Sequence, residues 1–400
     1  MEVQLYNPHP NQEKIHNSIN NEGYKYYVLD IGRQFGKSLL ATNQVLYWGL
    51  NEVVEIGWVS PVYNQAYKVY DQIVRAFEDN PHVFKRKDAQ KLRMELCNGS
   101  TIQFYSAERY DNIRGNTFDY LVCDEFAFMK QQAWTEVLKA TLLVKGKKAL
   151  LISTPNGKNH FFQLHQLDGI NDQYKSFTMT SYDNPMIDPK EIDDARNTLP
   201  DHIFRQEYLA EFVDGGANIF GELIINDKPE KVGRYYGGID VARADDYTVL
   251  SVYNSKGQQV FIDRWRHDSW SNIAQKVADK INEYDAQCYI EVNGVGDPIE
   301  EMVKSKLKNK NNIQPFVTTN KTKQNIIEQL AVANQQNEVS FLPHEWLRKE
   351  FEIFTYEYNP KTRVIKYSAP PGFHDDGILG CALGYEAFKS LRLKGVYAVK

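Results

Sequence analysis

Five short runs rich in β-branched and aromatic residues recur through the first half of the chain: YYVLDI at 26–31, VVEIGWVS at 53–60, TIQFYSA at 101–107, YLVCDE at 120–125 and KALLIST at 148–154. A strand with one wet face alternates apolar and polar residues, whereas these runs are nearly continuous, so both of their faces have to be covered. The segments between them are long enough for crossover helices. A mostly parallel sheet flanked by helices, an α/β arrangement, is therefore expected. The stretch 61–80 reads as one such helix, with Tyr63, Ala66, Val69, Ile73 and Phe77 forming its apolar stripe.

The pattern changes after a polar, glycine-containing passage at 200–232. New runs follow at 235–240 (YYGGID), 247–254 (YTVLSVYN) and 259–266 (QVFIDRWR), set apart by turn residues. That spacing predicts an antiparallel meander, then a helix over 270–284 and a further strand at 288–292. With 400 residues the chain exceeds the roughly 250–300 at which single cores divide. Two domains, 1–214 and 215–400, are expected. No internal repeat or low-complexity segment is evident.

Composition sets outer limits. The chain is 42% hydrophobic and 25% charged, which suits a soluble protein with sizeable cores. A net charge of -5 does not argue against nucleic acid, because a basic channel can coexist with an acidic average. Cys97, Cys123, Cys288 and Cys381 are widely spaced, which fits buried core residues better than disulfides or a zinc site. No window approaches about 18 consecutive apolar residues, and the N-terminus lacks a basic segment followed by an apolar one. A soluble intracellular protein without membrane attachment is the expectation.

Residues 30–38, DIGRQFGKS, end a strand-like run and open a helical one. Such a loop suits phosphate binding, because its N–H groups and the helix start surround an anion while Lys37 reaches outer oxygens and Ser38 offers a hydroxyl to Mg²⁺. Gly32, Arg33, Gln34 and Gly36 complete the loop. Ile31 stands where the usual pattern has its first glycine, and an ordinary strand-to-helix turn is the alternative reading. The run ending in Asp124-Glu125 delivers two carboxylates to the same sheet edge, one for the metal and one to orient or deprotonate water. Ser153 and Thr154 close another strand, either as a phosphate sensor or as a capped strand end. Gln12 offers donor and acceptor to an adenine edge. Arg33, Arg109 and Arg114 are candidates for neutralising charge on a transferred phosphoryl group.

The second half carries its own acids. Asp240 and Glu291 end strand-like runs, and Asp375-Asp376 precede a probable helix. Carboxylates so distributed suit two Mg²⁺ or Mn²⁺ ions in phosphodiester hydrolysis, and do not suit zinc. A turn at Asp240, Asp245 and Asp246 and a helix cap at His374-Asp375-Asp376 are the structural alternative, leaving an accessory domain.

These motifs together resemble the large terminase subunit of tailed bacteriophages over nearly the whole chain. The resemblance rests on Gln12, the deviant loop from Arg33 to Ser38, Asp124-Glu125, Ser153-Thr154 and RQEYLAEF at 205–212. It implies a P-loop NTPase domain with a mostly parallel sheet followed by a ribonuclease H-like mixed α/β nuclease domain. The implied catalytic residues are Arg33, Glu125, Asp240, Glu291 and Asp375, with Asp376 assisting as a metal ligand. ATP and Mg²⁺ are the implied cofactors, with Mn²⁺ able to substitute at the nuclease site. Double-stranded DNA, a portal protein, a small terminase subunit and ring-forming copies of the chain on a prohead are the implied partners. The implied place of action is the host cytoplasm, and not the mature virion. The run 351–370 resembles the hairpin beside the family's nuclease site, with Asn359-Pro360-Lys361 at its turn. Lys304, Lys306, Lys308, Lys310, Lys321 and Lys323 offer either a phosphate-contacting surface or a plain solvated face. A helicase or DNA-repair ATPase with an accessory C-terminal domain shares the first-half motifs, and a structural protein with a nucleotide-binding relic is the non-enzymatic alternative.

Overall fold

A computed structural model describes residues 5–213, 219–241, 247–292, 298–359, 364–370 and 372–397. They fall into two compact units, the first holding 5–195 and 203–213, the second holding 196–202 and the described residues from 219 onward.

In the first unit, α1 (Pro10–Asn21), α2 (Lys37–Asn51), α3 (Tyr63–Ala76) and α4 (His160–His165) surround an eight-stranded sheet. Its strands are β1 (Tyr26–Ile31), β2 (Glu55–Ser60), β3 (Phe84–Asp88), β4 (Arg93–Leu96), β5 (Thr101–Ser106), β6 (Tyr120–Asp124), β7 (Lys148–Ser153) and β8 (Tyr174–Met179). The order is β3-β4-β5-β2-β6-β7-β1-β8, parallel from β5 to β8 and antiparallel where β3 and β4 join. All five apolar runs are strands of the parallel part. Alternate residues of β1 supply the two faces: Tyr27, Leu29 and Ile31 pack into one core cluster, Tyr26 and Val28 into another. That is why the run could not alternate in polarity. The helix expected at 61–80 is α3, with Ala66, Val69, Ile73 and its cap Phe77 buried, but Tyr63 lies at the first turn and is 49% exposed. The links after β5 and β6 are 3-10 and π turns instead of crossover α-helices.

Helices α5 (Pro189–Thr198) and α6 (Asp201–Glu207) follow. The second unit is built on β9 (Tyr236–Asp240), β10 (Thr248–Tyr253), β11 (Gln259–Trp265), α7 (Trp270–Tyr284), β12 (Gln287–Val292), α8 (Pro298–Lys306), β13 (Ile313–Val317), α9 (Asn320–Gln335) and α10 (Glu345–Ile353). A two-stranded hairpin, β14 (Thr355–Asn359) and β15 (Val364–Ser368), precedes α11 (Asp376–Tyr397). The hairpin lies within the run 351–370, but Phe351 and its neighbours belong to α10; Pro360 and Lys361 fall outside the described residues. The five-stranded sheet runs β11-β10-β9-β12-β13, with β10 antiparallel to both neighbours and β12 parallel to β9 and β13. The meander is as expected.

α11 lies on this sheet at unusually short range. A Cβ on Gly238 of β9 would fall 2.1 Å from the Gly384 nitrogen and 2.5 Å from the Gly380 oxygen, so the strand and helix meet backbone to backbone. Ile378, Cys381, Ala382, Leu383 and Ala387 are almost wholly enclosed, which is why this helix carries apolar residues on every side. Cys123, Cys288 and Cys381 are buried thiols, whereas Cys97 is exposed and departs from the core placement expected of it. Among the described residues no helix is long and apolar enough to cross a membrane.

His202 is a buried ring in the second unit, 4.9 Å from the Tyr356 ring, with Nδ1 lacking a hydrogen-bond partner. Burial pushes its pKa down to about 4. A group whose folded pKa is depressed binds protons more readily when unfolded, so its contribution is complete above about pH 6.5 and is lost as pH falls toward 4. Thermal melting between those pH values should show a loss on the order of 3 kcal/mol. The variant His202→Phe should flatten that slope; an unchanged slope would remove His202 as its origin.

Candidate active sites on two sheet edges

β1 ends at Ile31 and α2 begins at Lys37, so the intervening loop lies at the carboxyl edge of the parallel strands. Gln34 and Gly36 adopt positive φ of 59° and 95°. A Cβ at Gly36 would lie 2.6 Å from Gln12 Nε2, and one at Gly32 would lie 2.6 Å from the Tyr208 carbonyl. Both positions require glycine for proximity. The Gly32 N–H donates to Met179 O at 2.8 Å and the Arg33 N–H to Glu207 O at 2.7 Å. Ser181 Oγ donates to Arg33 O at 2.7 Å, and Asn184 to Gln34 O at 2.7 Å. The loop is thus tied to the ends of β8 and α6.

Gln12 is buried and its amide is engaged by the protein itself. Nε2 donates to Gly36 O at 3.3 Å and Oε1 accepts from the His9 N–H at 3.2 Å. These bonds tie Gln12, the residue the sequence singles out for an adenine edge, to the loop at Gly36.

The acids of β6 reach the loop. Ser38 Oγ lies 3.4 Å from Asp124 Oδ1, and Lys37 Nζ lies 3.8 Å from Glu125 Oε1. Ser153 Oγ donates to the other Glu125 oxygen at 3.4 Å. Glu125 sits at φ 55°, ψ 47°, the left-handed region that costs a non-glycine residue about 1 kcal/mol or more. Burial, with Glu125 adding to it, pushes Asp124 up to about 7, against the opposing effects of Lys37 and the Ser38 hydroxyl. A carboxylate held near neutrality beside a hydroxyl is a fitting receptor for a divalent cation, whose charge would offset the burial. Asp30, one residue before the end of β1, is wholly buried with neither carboxylate oxygen hydrogen-bonded, and burial raises it well above its usual range despite Lys37. Inside an apolar run, nothing in the sequence singles it out.

Ser153 and Thr154 are buried at the end of β7. The arginines are dispersed. Arg33 donates to Glu207 Oε2 at 2.5 Å, and Arg114 is tied to Asp111 at 2.8 Å and Glu136 at 3.4 Å. Arg109 is exposed in the turn after β5.

In the second unit, the parallel register aligns Ile239 with Ile290, and one further step sets Asp240 beside Glu291. Asp240 is buried, and is raised well above the usual carboxylate range by burial first, then by Glu291, Asp376 and Asp375. A buried carboxylate beside other acids is a place where a bound cation would offset both the burial and the repulsion. All four acids selected from the sequence are thereby neighbours in an electrostatic sense. Among the described residues, however, no three acid, imidazole or thiol groups stand in a ready ion-enclosing arrangement. Asp245 and Asp246 fall outside the described residues. Asp376 Oδ2 accepts the Tyr247 N–H at 3.0 Å, whereas Asp375 Oδ2 is held 2.9 Å from Lys323 Nζ. The sequence favours Asp375, and the structure ties Asp376 to a backbone partner, the Tyr247 N–H, while Asp375 is paired with Lys323.

The lysine surface is only partly available. Lys304 pairs with Glu300 at 2.5 Å, Lys306 bonds Gln275 at 3.1 Å, and Lys323 is occupied by Asp375, while Lys308, Lys310 and Lys321 are exposed. Glu350 is a further buried acid, which no motif marks. Its Oε2 accepts the Gly377 N–H at 2.8 Å, and burial pushes its pKa up to about 8 against the effects of that N–H and Arg264.

A loop with lysine and serine beside an Asp-Glu pair lies at the edge of one sheet, and Asp240, under the influence of three further acids, lies at the edge of the other. Residues 28–227 match the family described as terminase large subunit, T4likevirus-type, N-terminal. Over 440 aligned positions the chain is 27% identical to the terminase large subunit of Thermus virus P23-45, covering 96% of this chain and 88% of that protein. A large terminase from a thermophilic bacteriophage shares the fold, with a TM-score of 0.52 at 15% identity over 96% of this chain and 100% of that one. The same phage terminase in complex with ADP gives 0.50 at 14% identity, over 96% and 99% of the two chains. The chain belongs to the T4likevirus-type family of large terminase subunits. It is a viral DNA-packaging motor subunit, an enzyme with ATPase and nuclease activity, and the helicase, repair and non-enzymatic alternatives fall away.

Proposed function

We propose that residues 1–214 are a P-loop ATPase motor and residues 215–400 a ribonuclease H-like nuclease that together translocate double-stranded DNA into a prohead and cut it. The observation that carries the motor assignment is the meeting of Lys37 and Ser38 with Glu125 and Asp124 at one sheet edge. The Gly32 and Arg33 N–H groups are already bonded, so the phosphate cradle falls to Gln34 through Ser38. Lys37 neutralises outer phosphate oxygens, Ser38 and Asp124 would hold Mg²⁺, and Glu125 orients the attacking water and accepts its proton. Ser153, in contact with Glu125, and Thr154 beside it sense the outer phosphate from the end of β7. Arg33 lies within the loop itself; its release from Glu207 is required before it can serve the phosphates. Gln12 holds the loop in shape from beneath.

In the nuclease, Asp240, Glu291, Asp375 and Asp376 would hold the divalent ions, Mg²⁺ or Mn²⁺. When bound, such ions stabilise charge on the phosphate and lower the pKa of water. The chain's own part is to bring Asp240, on a buried strand end, within the electrostatic influence of Glu291, Asp375 and Asp376, where a cation would offset the burial and the repulsion. The phage terminase solved with ADP has the same fold, in keeping with a nucleotide as the first site's ligand. Family membership supports a portal protein and a small terminase subunit as partners, a ring of copies on the prohead, and action in the host cytoplasm with departure before the mature virion is complete.

Purified full-length protein given supercoiled plasmid and Mn²⁺ should nick it without ATP. Nicking that requires ATP at saturating Mn²⁺ would contradict two independent centres.

A further inference from the structure

α11 starts at Asp376, and the N–H groups of its first turn need acceptors from outside the helix. One comes from α10, where Glu350 Oε2 takes the Gly377 N–H at 2.8 Å. The other oxygen of Glu350 accepts from Arg264 Nη1 at 3.1 Å. Arg264 is itself clamped, its Cζ 4.3 Å from the ring centroids of both Tyr247 and Trp346. Tyr247 closes the circuit, since its N–H donates to Asp376 Oδ2 at 3.0 Å and its ring meets His374 edge to face at 5.2 Å. Position 377 is made for this contact. A Cβ there would stand 2.5 Å from Glu350 Oε2 and 2.7 Å from Trp346.

We infer that Glu350 is a positioning residue of the nuclease centre: by capping α11 at Gly377 it fixes the direction in which Asp375 and Asp376 face Asp240 and Glu291. This rests on the assignment of those four acids as the metal site. Arg264 holds the second Glu350 oxygen, and the two rings hold Arg264, so the cap has one geometry. Partners of metal ligands commonly change metal affinity about 10–100-fold when removed, because the ligands lose their orientation while remaining present.

The test uses full-length protein, with Mn²⁺ binding measured calorimetrically in the absence of DNA and plasmid nicking measured as a function of Mn²⁺ concentration. Glu350→Ala should weaken Mn²⁺ binding and raise the half-maximal Mn²⁺ concentration by about tenfold, with ATP turnover unchanged within about twofold. Glu350→Gln keeps an oxygen for the Gly377 N–H and should stay within about threefold of the parent. Gly377→Ala disturbs the same contact from the helix side and should reproduce the loss with Glu350 intact, which covers the case of an unfolded Glu350→Ala protein. A folded Glu350→Ala protein with unaltered Mn²⁺ affinity overturns the cap, as does a Gln variant as impaired as the Ala variant. If the parent and Asp240→Asn bind Mn²⁺ equally, the acid assignment itself is wrong.

Discussion

Replacing Lys37 with alanine is expected to lower ATP turnover at least about 100-fold while leaving metal-dependent nicking within about twofold. Lys37 faces the Asp124-Glu125 pair, 3.8 Å from Glu125, with little exposure to water that would screen it. Its removal takes away the point charge that faces the outer phosphates and also the charge that opposes the upward shift of Asp124. The second effect makes the metal receptor poorer, so nucleotide affinity should fall along with turnover. Glu125→Gln separates the two. The amide still fits beside Ser153 and still binds water, but it cannot take a proton, so binding should persist while hydrolysis falls by about 100-fold or more. Phosphate release and fluorescent-nucleotide binding measured on both variants decide the matter: turnover retained in either one removes that residue from the proposed role.

The corresponding experiment at the other centre starts with Asp240→Asn. Cleavage should fall at least about 100-fold with ATP turnover preserved, because a central ligand is lost from a site built on a different sheet. The same change should raise the melting temperature in metal-free buffer. Burial and three neighbouring acids disfavour the Asp240 carboxylate that the unfolded chain carries freely, and an amide of the same shape avoids that cost. Asp376→Asn is expected to damage cleavage at least as much as Asp375→Asn, given that the Tyr247 N–H orients Asp376 whereas Asp375 is paired with Lys323. Near-normal cleavage by Asp376→Asn beside a dead Asp375→Asn would return the main role to Asp375. A lower melting temperature for Asp240→Asn would show that the acids are stabilising partners instead of a site held open against repulsion.

Much of this arrangement can be read from residue order because it depends on short-range pattern. The run at 26–31 declares a strand covered on both faces, and Lys37-Ser38 and Asp124-Glu125 declare their positions by following or ending strands directly. β3, with the sequence FKRKD, is not legible: it is an exposed antiparallel addition whose side chains meet water, so no apolar pattern marks it. Likewise β8, YKSFTM, has only its end residues buried. Glu207, Lys323 and Glu350 illustrate a different limit. Each acts on a residue 27 or more positions away, Arg33, Asp375 and Gly377 respectively, and only folding brings the partners together. Gln12 stands out in the sequence for the right neighbourhood, although its amide serves the loop's own backbone.

The order in which the chain visits its two units bears on how such an enzyme can be taken apart or recombined. Residues 196–202 belong with the second unit, yet 203–213 return to the first and supply the Glu207 carbonyl and carboxylate that grip the phosphate loop at Arg33. A single break near residue 214 therefore strands 196–202 on the wrong fragment, and a break before 196 deprives the loop of its grip. Exchange of motor or nuclease halves between related genes must carry this threaded segment with matched partners on both sides, which makes it the stretch where hybrid proteins are most prone to fail.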